Sequence, residues 1–384
     1  MSEYKDNLWK FFIYLFSSRR SFAPLLSIFF LTLPGTIPKQ IGFYSGLGYL
    51  ASFLIETPSG YFADHFGYKK TLILSKSLAF LSTFLFVIAN SFWTFTLGSV
   101  LMCLARSLKG GTNEAFINST LTKLNRENEF AKIMTKISAN VSLLCLPLIL
   151  GLPFLTTIDI RLPFKVFLIV DLIGLLFVLS FKDIKQVIHH KEKLSIFKLI
   201  KRVKGSNFFP IAIFSGLILG FTFAHGPFRA VYLESLGLPI IFIGAVMSLS
   251  RFFWFLIGQK VHRIEDKFSV KQHFSIELFL FPLYFIIISF IPNIIILIII
   301  MALVNGYMWS RNQLINHYLL KEIKGSKYKA TYLSLYNQIT SVIQFSLSFI
   351  AGFLMSISYK FGFLTLGIIL FIVLVIPFTF MKKH

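Results

Sequence analysis

The chain has 384 residues, of which 55% are hydrophobic and only 14% are charged. Soluble domains carry about 25% charged residues, whereas the mean hydropathy of this chain is +0.74. The composition excludes an ordinary soluble protein, and the net charge of +22 needs an explanation other than a soluble basic domain.

Apolar runs follow one another along the whole chain. Each is about 20 residues or longer, which is enough for a helix to cross a hydrocarbon layer of roughly 30 Å. A helix also satisfies its backbone polar groups within the segment. The predicted spans are 8–33, 41–63, 71–90, 93–120, 131–155, 163–182, 208–234, 239–259, 270–290, 293–319, 329–356 and 361–380. We therefore predict an all-α membrane protein with twelve transmembrane helices.

The basic residues are distributed unevenly over the predicted loops. Most of the 38 Lys and Arg residues fall at the N-terminus, in the loops after even-numbered spans, or at the C-terminus. The opposite loops hold Lys39, Arg161, Lys165 and Lys360. Cytoplasmic loops carry the excess of Lys and Arg, so we predict an inner (plasma) membrane protein with both termini cytoplasmic. The positive charge then indicates topology and not a nucleic-acid partner.

The longest polar connection divides the chain into two halves of six spans. We predict an N-terminal six-helix bundle over 1–182, a basic cytoplasmic linker over 183–207, and a C-terminal six-helix bundle over 208–384. Two such halves are typical of transporters that bind their solute between repeats near the bilayer midplane.

A polar motif lies between the second and third predicted spans. It reads Glu56-Thr57-Pro58-Ser59-Gly60-Tyr61-Phe62-Ala63-Asp64-His65-Phe66-Gly67-Tyr68-Lys69-Lys70. The motif resembles the cytoplasmic signature of the major facilitator superfamily, G-x-x-x-D-R-x-G-R-R/K. The matching residues are Gly60, Asp64, Gly67, Lys69 and Lys70, while His65 and Tyr68 replace two basic residues of the pattern.

The resemblance implies two six-helix bundles, transport by alternating access and a cytoplasmic gate in which Asp64 takes part. The alternative is that Asp64 only caps and orients a loop. Further along, Gly110-Gly111-Thr112-Asn113-Glu114-Ala115 is similar to the fourth helix of the family, and Arg106 resembles its intramembrane arginine.

Seven basic residues inside predicted spans are candidates for function, because a charge within the membrane costs about 2.5–3.5 kcal/mol on insertion scales. They are Arg19, Arg20, Arg106, Lys109, Arg229, Arg251 and Arg311. The family resemblance implies that spans 1, 4, 7 and 10 line a central cavity, and these spans carry all of them except Arg251. The predicted substrate-binding residues are Arg19, Arg20, Arg106, Lys109, Asn113, His225, Arg229 and Arg311.

Few acids lie at the same depth in the predicted spans. Asp171 and Glu277 fall on spans 6 and 9, which the resemblance implies are peripheral. We therefore predict a small anionic or amphipathic metabolite, which arginine can bind with paired hydrogen bonds. The alternative is that internal ion pairs, for example of Arg106 with Glu114 or Asp171, only hold helices together.

Proton coupling would require a carboxylate or histidine whose protonation changes during transport. Glu114 is the first candidate, because it lies beside Asn113 on a predicted cavity helix. Glu56 and His225 are the other candidates. Each of the three could instead be a structural partner.

Motifs for cofactor chemistry are missing from the sequence. It contains no G-x-x-x-x-G-K-S/T loop, no dinucleotide-binding fingerprint and no zinc-ligand spacing. We predict no cofactor, no metal and no enzymatic activity, in a protein that works as a monomer. A multidrug efflux pump of the same superfamily, a non-transporting membrane sensor or scaffold, and an intramembrane lipid-modifying enzyme remain alternatives.

Overall fold

A computed structural model describes residues 2–184, 203, 205–260, 267–323 and 329–382, without the side chains of 2–3, 57–61, 64, 131, 313 and 329–331. Within these ranges the chain is helical and has no strand. The helices are α1 (Ser2–Ser17), α2 (Leu26–Leu31), α3 (Pro38–Phe66), α4 (Tyr68–Ile88), α5 (Phe92–Lys109), α6 (Thr112–Lys123), α7 (Phe130–Leu155), α8 (Leu162–Leu179), α9 (Phe208–His225), α10 (Phe228–Ser235), α11 (Ile243–Gly258), α12 (Val270–Phe290), α13 (Ile294–Glu322), α14 (Lys329–Ile357) and α15 (Tyr359–Thr379). Short 3₁₀ turns precede α2, α7 and α11.

In this described part of the chain, nine helices are long and apolar enough to cross a membrane. They are α4, α7, α8, α9, α11, α12, α13, α14 and α15. The prediction of an all-helical membrane protein is confirmed, while the count of twelve stays a prediction. Two predicted spans outside this set, 8–33 and 93–120, are each divided between two shorter helices.

The helix is interrupted in predicted spans 1, 4 and 7, each of which was predicted as one continuous helix. The chain leaves the helix at Ser18–Phe22, at Gly110–Gly111 and at Gly226–Pro227. Gly111 has a φ of 65°, a conformation that glycine adopts without strain, and Pro227 has no N–H to continue a helical ladder. Discontinuous membrane helices are typical of solute sites in transporters.

The chain forms two compact units. Unit 1 comprises Met1–Thr36, Leu47–His190 and Pro239–Gly244, and unit 2 comprises Ile37–Gly46, Lys191–Leu238 and Ala245–His384. The predicted bundles 1–182 and 208–384 stay a prediction, and residues 185–202 and 204 of the predicted linker lie outside the described residues.

Close helix contacts within unit 1 place α4 between α5 and α8. Ser75 on α4 donates a hydrogen bond to the carbonyl of Ala105 at 2.7 Å, and Ser82 donates to the carbonyl of Gly98 at 2.7 Å. Small and hydroxylated residues allow membrane helices to approach and bond in this way. The packing fixes the α4 side chains relative to α5.

Unit 2 is built around two helix pairs, α12 with α15 and α9 with α14. On α9, Gly220 lies against Ile343 of α14 so closely that a methyl group at this position would clash with the Ile343 side chain. On α12, Phe274 stacks on Phe214 of α9, with ring centroids 4.6 Å apart. These contacts bring the polar residues of α9, α12 and α13 together.

Candidate functional site

A cavity of about 180 Å³ lies inside unit 1, beside the interruption between α1 and α2. Four cationic side chains, Arg20, Lys76, Arg106 and Lys109, contribute to its wall. The remaining lining residues are Ser18, Ala23, Ser75, Ala79, Met102, Cys103 and Ala105. The broken first span, α4 and α5 thus supply a hollow whose mainly apolar wall carries four cationic side chains.

Asp171 on α8 neutralises part of this charge. Its Oδ2 accepts a hydrogen bond from Arg20 at 2.5 Å, and its Oδ1 accepts one from the Lys76 ammonium at 2.7 Å. Thr83 also donates to Oδ2, at 2.6 Å. Asp171 is 0% exposed and Lys76 is 1% exposed, so this is a buried ion-pair network that joins α8 to α4 and the first span.

Lys109 lies at the centre of the cation cluster. Its ammonium donates to the carbonyl of Ser18 at 3.1 Å, next to the first helix interruption. Arg19, Arg20, Lys76 and Arg106 all lie within electrostatic reach of it. Like charges held this close repel one another and make the local electrostatic potential positive.

Arg106 is not covered by other side chains and lies over the ring of Tyr49, with the guanidinium carbon 5.8 Å from the ring centroid. Glu56 is within electrostatic reach of this guanidinium. Arg106 does not pair with Asp171 or Glu114 in the described residues; the partners of Asp171 are instead Arg20 and Lys76. Of the two adjacent arginines, Arg20 lines the cavity, and the Nε of Arg19 is buried without a hydrogen-bond partner.

Asn113 and Glu114 lie in the first turn of α6, just after the Gly110–Gly111 interruption. The Oδ1 of Asn113 is buried without a hydrogen-bond partner. Glu114 is exposed and lies within electrostatic reach of Tyr14 on α1. The two residues therefore belong to the same unit as the cavity, although neither lines it.

Arg311 belongs to a separate buried network in unit 2. Its guanidinium holds Glu277 through two hydrogen bonds, from Nε at 2.5 Å and from a terminal nitrogen at 2.8 Å. Both side chains are 0% exposed. Tyr307 donates to the same carboxylate at 2.7 Å, and His273 lies 3.2 Å from it. The charge of Arg311 is paired inside the unit and does not line the cavity described above.

His225 and Arg229 flank the Gly226–Pro227 interruption, also in unit 2. His225 is buried, with its Nδ1 2.8 Å from the carbonyl oxygen of Phe221 and its Nε2 3.4 Å from the Tyr284 hydroxyl. Arg229 lies within electrostatic reach of His225. The structure therefore groups the predicted site residues into a unit 1 cluster and two unit 2 clusters.

The predicted gate motif spans the junction of α3 and α4. Gly67 separates the two helices with a φ of 91°, which explains why a glycine fits this single-residue turn. Lys69 and Lys70 begin α4. Gly60 and Asp64 lie on α3, and their side-chain environments fall outside the described part of the structure.

The sequence prediction missed Lys76, Asp171 and Glu277 as site residues. Lys76 lies inside the predicted span 71–90, so the rule for intramembrane charges would have found it. Asp171 and Glu277 carry the same signal, but the resemblance placed their helices at the periphery. In the described residues, no group of three His, Cys, Asp or Glu side chains is arranged to hold a metal ion.

Comparisons with known proteins identify the fold and the family of the chain. A family model described as Major Facilitator Superfamily matches residues 11–346. A sequence search of curated proteins finds no match to the chain. Among solved structures, a mutant form of the nucleoside transporter NupG is similar, with 16% identity, a TM-score of 0.78, and coverage of 99% of this chain and 100% of that chain.

Two further solved structures have the same fold. A bacterial homolog of the human lysosomal transporter Spinster, inward-facing and unoccupied, has 15% identity and a TM-score of 0.73, and covers 98% of this chain and 96% of its own. The peptide transporter POT in complex with sulfate has 13% identity, a TM-score of 0.68 and the same two coverages. At these identities the likeness shows the fold, and the family match adds the membership. The chain belongs to the major facilitator superfamily.

Proposed function

We propose that the protein is a secondary active transporter that moves a small anionic metabolite across the inner membrane by alternating access. Membership in a transporter family supports transport, and the cation-lined cavity of unit 1 supports an anionic solute. The excess of Lys and Arg in one set of predicted loops supports an orientation with both termini cytoplasmic.

The observation that carries the proposal is the imbalance of charge around the cavity. Asp171 is bound to Arg20 and Lys76, whereas Arg106 and Lys109 form no ion pair in the described residues. We assign solute contact to Arg106 and Lys109, with Arg19 adding positive charge close to Lys109. The Asp171 network positions the α4 side of the cavity wall. Arg311, paired with Glu277, has a structural role in this proposal.

Uptake into vesicles tests the proposal. The purified protein is reconstituted, and a set of small anionic, neutral and cationic metabolites is screened for uptake. Arg106→Gln and Lys109→Gln should each lower anion uptake about ten- to hundredfold, because a charge-assisted hydrogen bond contributes about 1.5–3 kcal/mol. Arg126→Gln is the matched control, since Arg126 pairs with Glu129 in an exposed connection away from the cavity.

Anion uptake that both cavity variants retain in full would remove Arg106 and Lys109 from the site. Selective transport of cations would contradict an anionic solute and favour drug efflux.

Proton coupling forms the second part of the proposal, with Glu114 as the first candidate for the proton carrier and Glu56 and His225 as the other candidates. Glu114 is exposed at the start of α6, where its carboxylate can reach solvent. In Glu114→Gln, uptake driven by a pH gradient should fall to the level seen without a gradient, while exchange of labelled solute continues. Gradient-driven uptake that persists at the normal rate would exclude Glu114.

A further inference from the structure

The cations around the unit 1 cavity outnumber the acids of the described residues near them. Arg19, Arg20, Lys76, Arg106 and Lys109 form one electrostatic cluster. Asp171 and Glu56 lie within reach of it. Even with Glu114 of the same unit counted as a third acid, the cations exceed the acids by two. A bound solute that removed this surplus would therefore carry two negative charges.

Hydrogen-bond donors are also left over at the cavity. Lys109 uses one of its three N–H groups on the carbonyl of Ser18. The Arg106 guanidinium, which has five N–H donors, forms no hydrogen bond within the described ranges. Donors on one guanidinium group and one ammonium can serve an acceptor with three or more oxygens.

A phosphoryl group satisfies both requirements. At pH 7 a phosphate monoester carries a charge of about −1.5 to −2 and presents three strong acceptor oxygens, and arginine binds it through paired hydrogen bonds. A single carboxylate supplies one charge and two oxygens. The cavity of about 180 Å³ has room for roughly six water molecules, at about 30 Å³ each. That volume holds a phosphoryl group with a short organic substituent.

Building on the proposed function, we infer that the unit 1 cavity binds the doubly charged phosphoryl group of inorganic phosphate or of a small phosphate monoester. Arg106 and Lys109 bind the phosphoryl oxygens, and Arg19 adds positive charge within electrostatic reach of Lys109. Asp171 forms ion pairs with Arg20 and Lys76. The phosphoryl group therefore binds Arg106 and Lys109, which form no ion pair in the described residues.

Thermal unfolding of the purified full-length protein in detergent tests this inference. The probes are inorganic phosphate, methyl phosphate, sulfate, succinate, acetate and chloride. A ligand that binds only the folded state raises the unfolding temperature with a saturable concentration dependence. We expect saturation by phosphate or methyl phosphate, and their relative dissociation constants tell whether the free ion or the ester is preferred. Acetate and chloride should give no saturable shift.

A pH series separates charge from shape. The second proton of a phosphate monoester has a pKa of about 6, so binding of methyl phosphate should weaken several-fold from pH 7.5 to pH 5.5. Sulfate keeps two charges over this range, so its binding should not weaken. In Arg106→Gln and Lys109→Gln the dissociation constant for phosphate should rise tenfold or more, with Arg126→Gln as the unaffected control. The unliganded unfolding temperature of each variant establishes that it is folded.

The outcomes distinguish this inference from the proposed function. Saturable binding of acetate or succinate without phosphate binding would overturn the phosphoryl assignment and leave anion transport standing. Phosphate binding that both cavity variants retain would place the site elsewhere and overturn the inference. If no anion binds and the reconstituted protein carries a cation or a neutral solute, both proposals fail.

Discussion

Replacing Glu277 by alanine should lower the free energy of unfolding by about 3–5 kcal/mol, because the substitution leaves Arg311 buried without a counter-ion. Both side chains are 0% exposed, and the guanidinium donates two hydrogen bonds to the carboxylate. A guanidinium stays protonated in proteins, so Arg311 cannot escape the cost by losing its charge. Tyr307 would lose its acceptor as well.

Denaturant or thermal unfolding in detergent measures this loss. The double variant Glu277→Gln/Arg311→Met should recover much of the stability, because it removes the buried charge together with its partner. Asp159→Asn is the control: Asp159 pairs with Lys165, and both side chains are more than a third exposed, so its loss should have little effect. Equal stability of Glu277→Ala and Asp159→Asn would show that the buried network is not needed for the fold.

Replacing Asp171 by asparagine should destabilise the protein less, by about 1.5–3 kcal/mol, and should tighten anion binding several-fold. The released Arg20 is 15% exposed and lines the cavity, so its guanidinium can turn toward a bound anion. Lys76, unlike arginine, can lose its proton when it loses its partner. Anion binding measured by thermal shift and unfolding measured without ligand report the two effects separately.

The rescue variant for this second network is Asp171→Asn/Lys76→Met. It removes the buried Lys76 together with its partner and should be more stable than Asp171→Asn alone. Thr83→Ala is a milder variant, because it removes only one hydrogen bond to the Asp171 carboxylate. Unchanged or weaker anion binding in Asp171→Asn would show that the released Arg20 does not reach the bound anion.

Hydropathy was sufficient to predict an all-helical membrane protein, because a bilayer of fixed thickness demands long apolar segments with internally bonded backbones. It did not predict that the first span stops at Ser18–Phe22, although Pro24 follows this stretch and cannot continue a helical hydrogen-bond ladder. The interruptions at Gly110–Gly111 and Gly226–Pro227 carry a sequence signal, because these residues disfavour a continuous helix.

Predicting the site from sequence was less complete. Charges inside apolar runs identified Arg20, Arg106 and Lys109, which the structure brings to one cavity. Which acid neutralises which base could not be deduced, because the partners are distant in sequence: Arg20 and Asp171 are separated by 151 positions. The resemblance directed attention to cavity helices, and the two buried acids that hold the networks together come from helices it describes as peripheral.

The two buried networks impose different demands while the chain is being made. Glu277 and Arg311 are 34 positions apart, on helices joined by the short connection 291–293. They can neutralise each other as soon as this hairpin has left the ribosome, so neither charge need enter lipid alone. Lys76 and Arg20 precede Asp171 by 95 and 151 positions, so neither has its carboxylate partner until α8 has been made. Biogenesis of the first half should consequently depend more on assistance than that of the second.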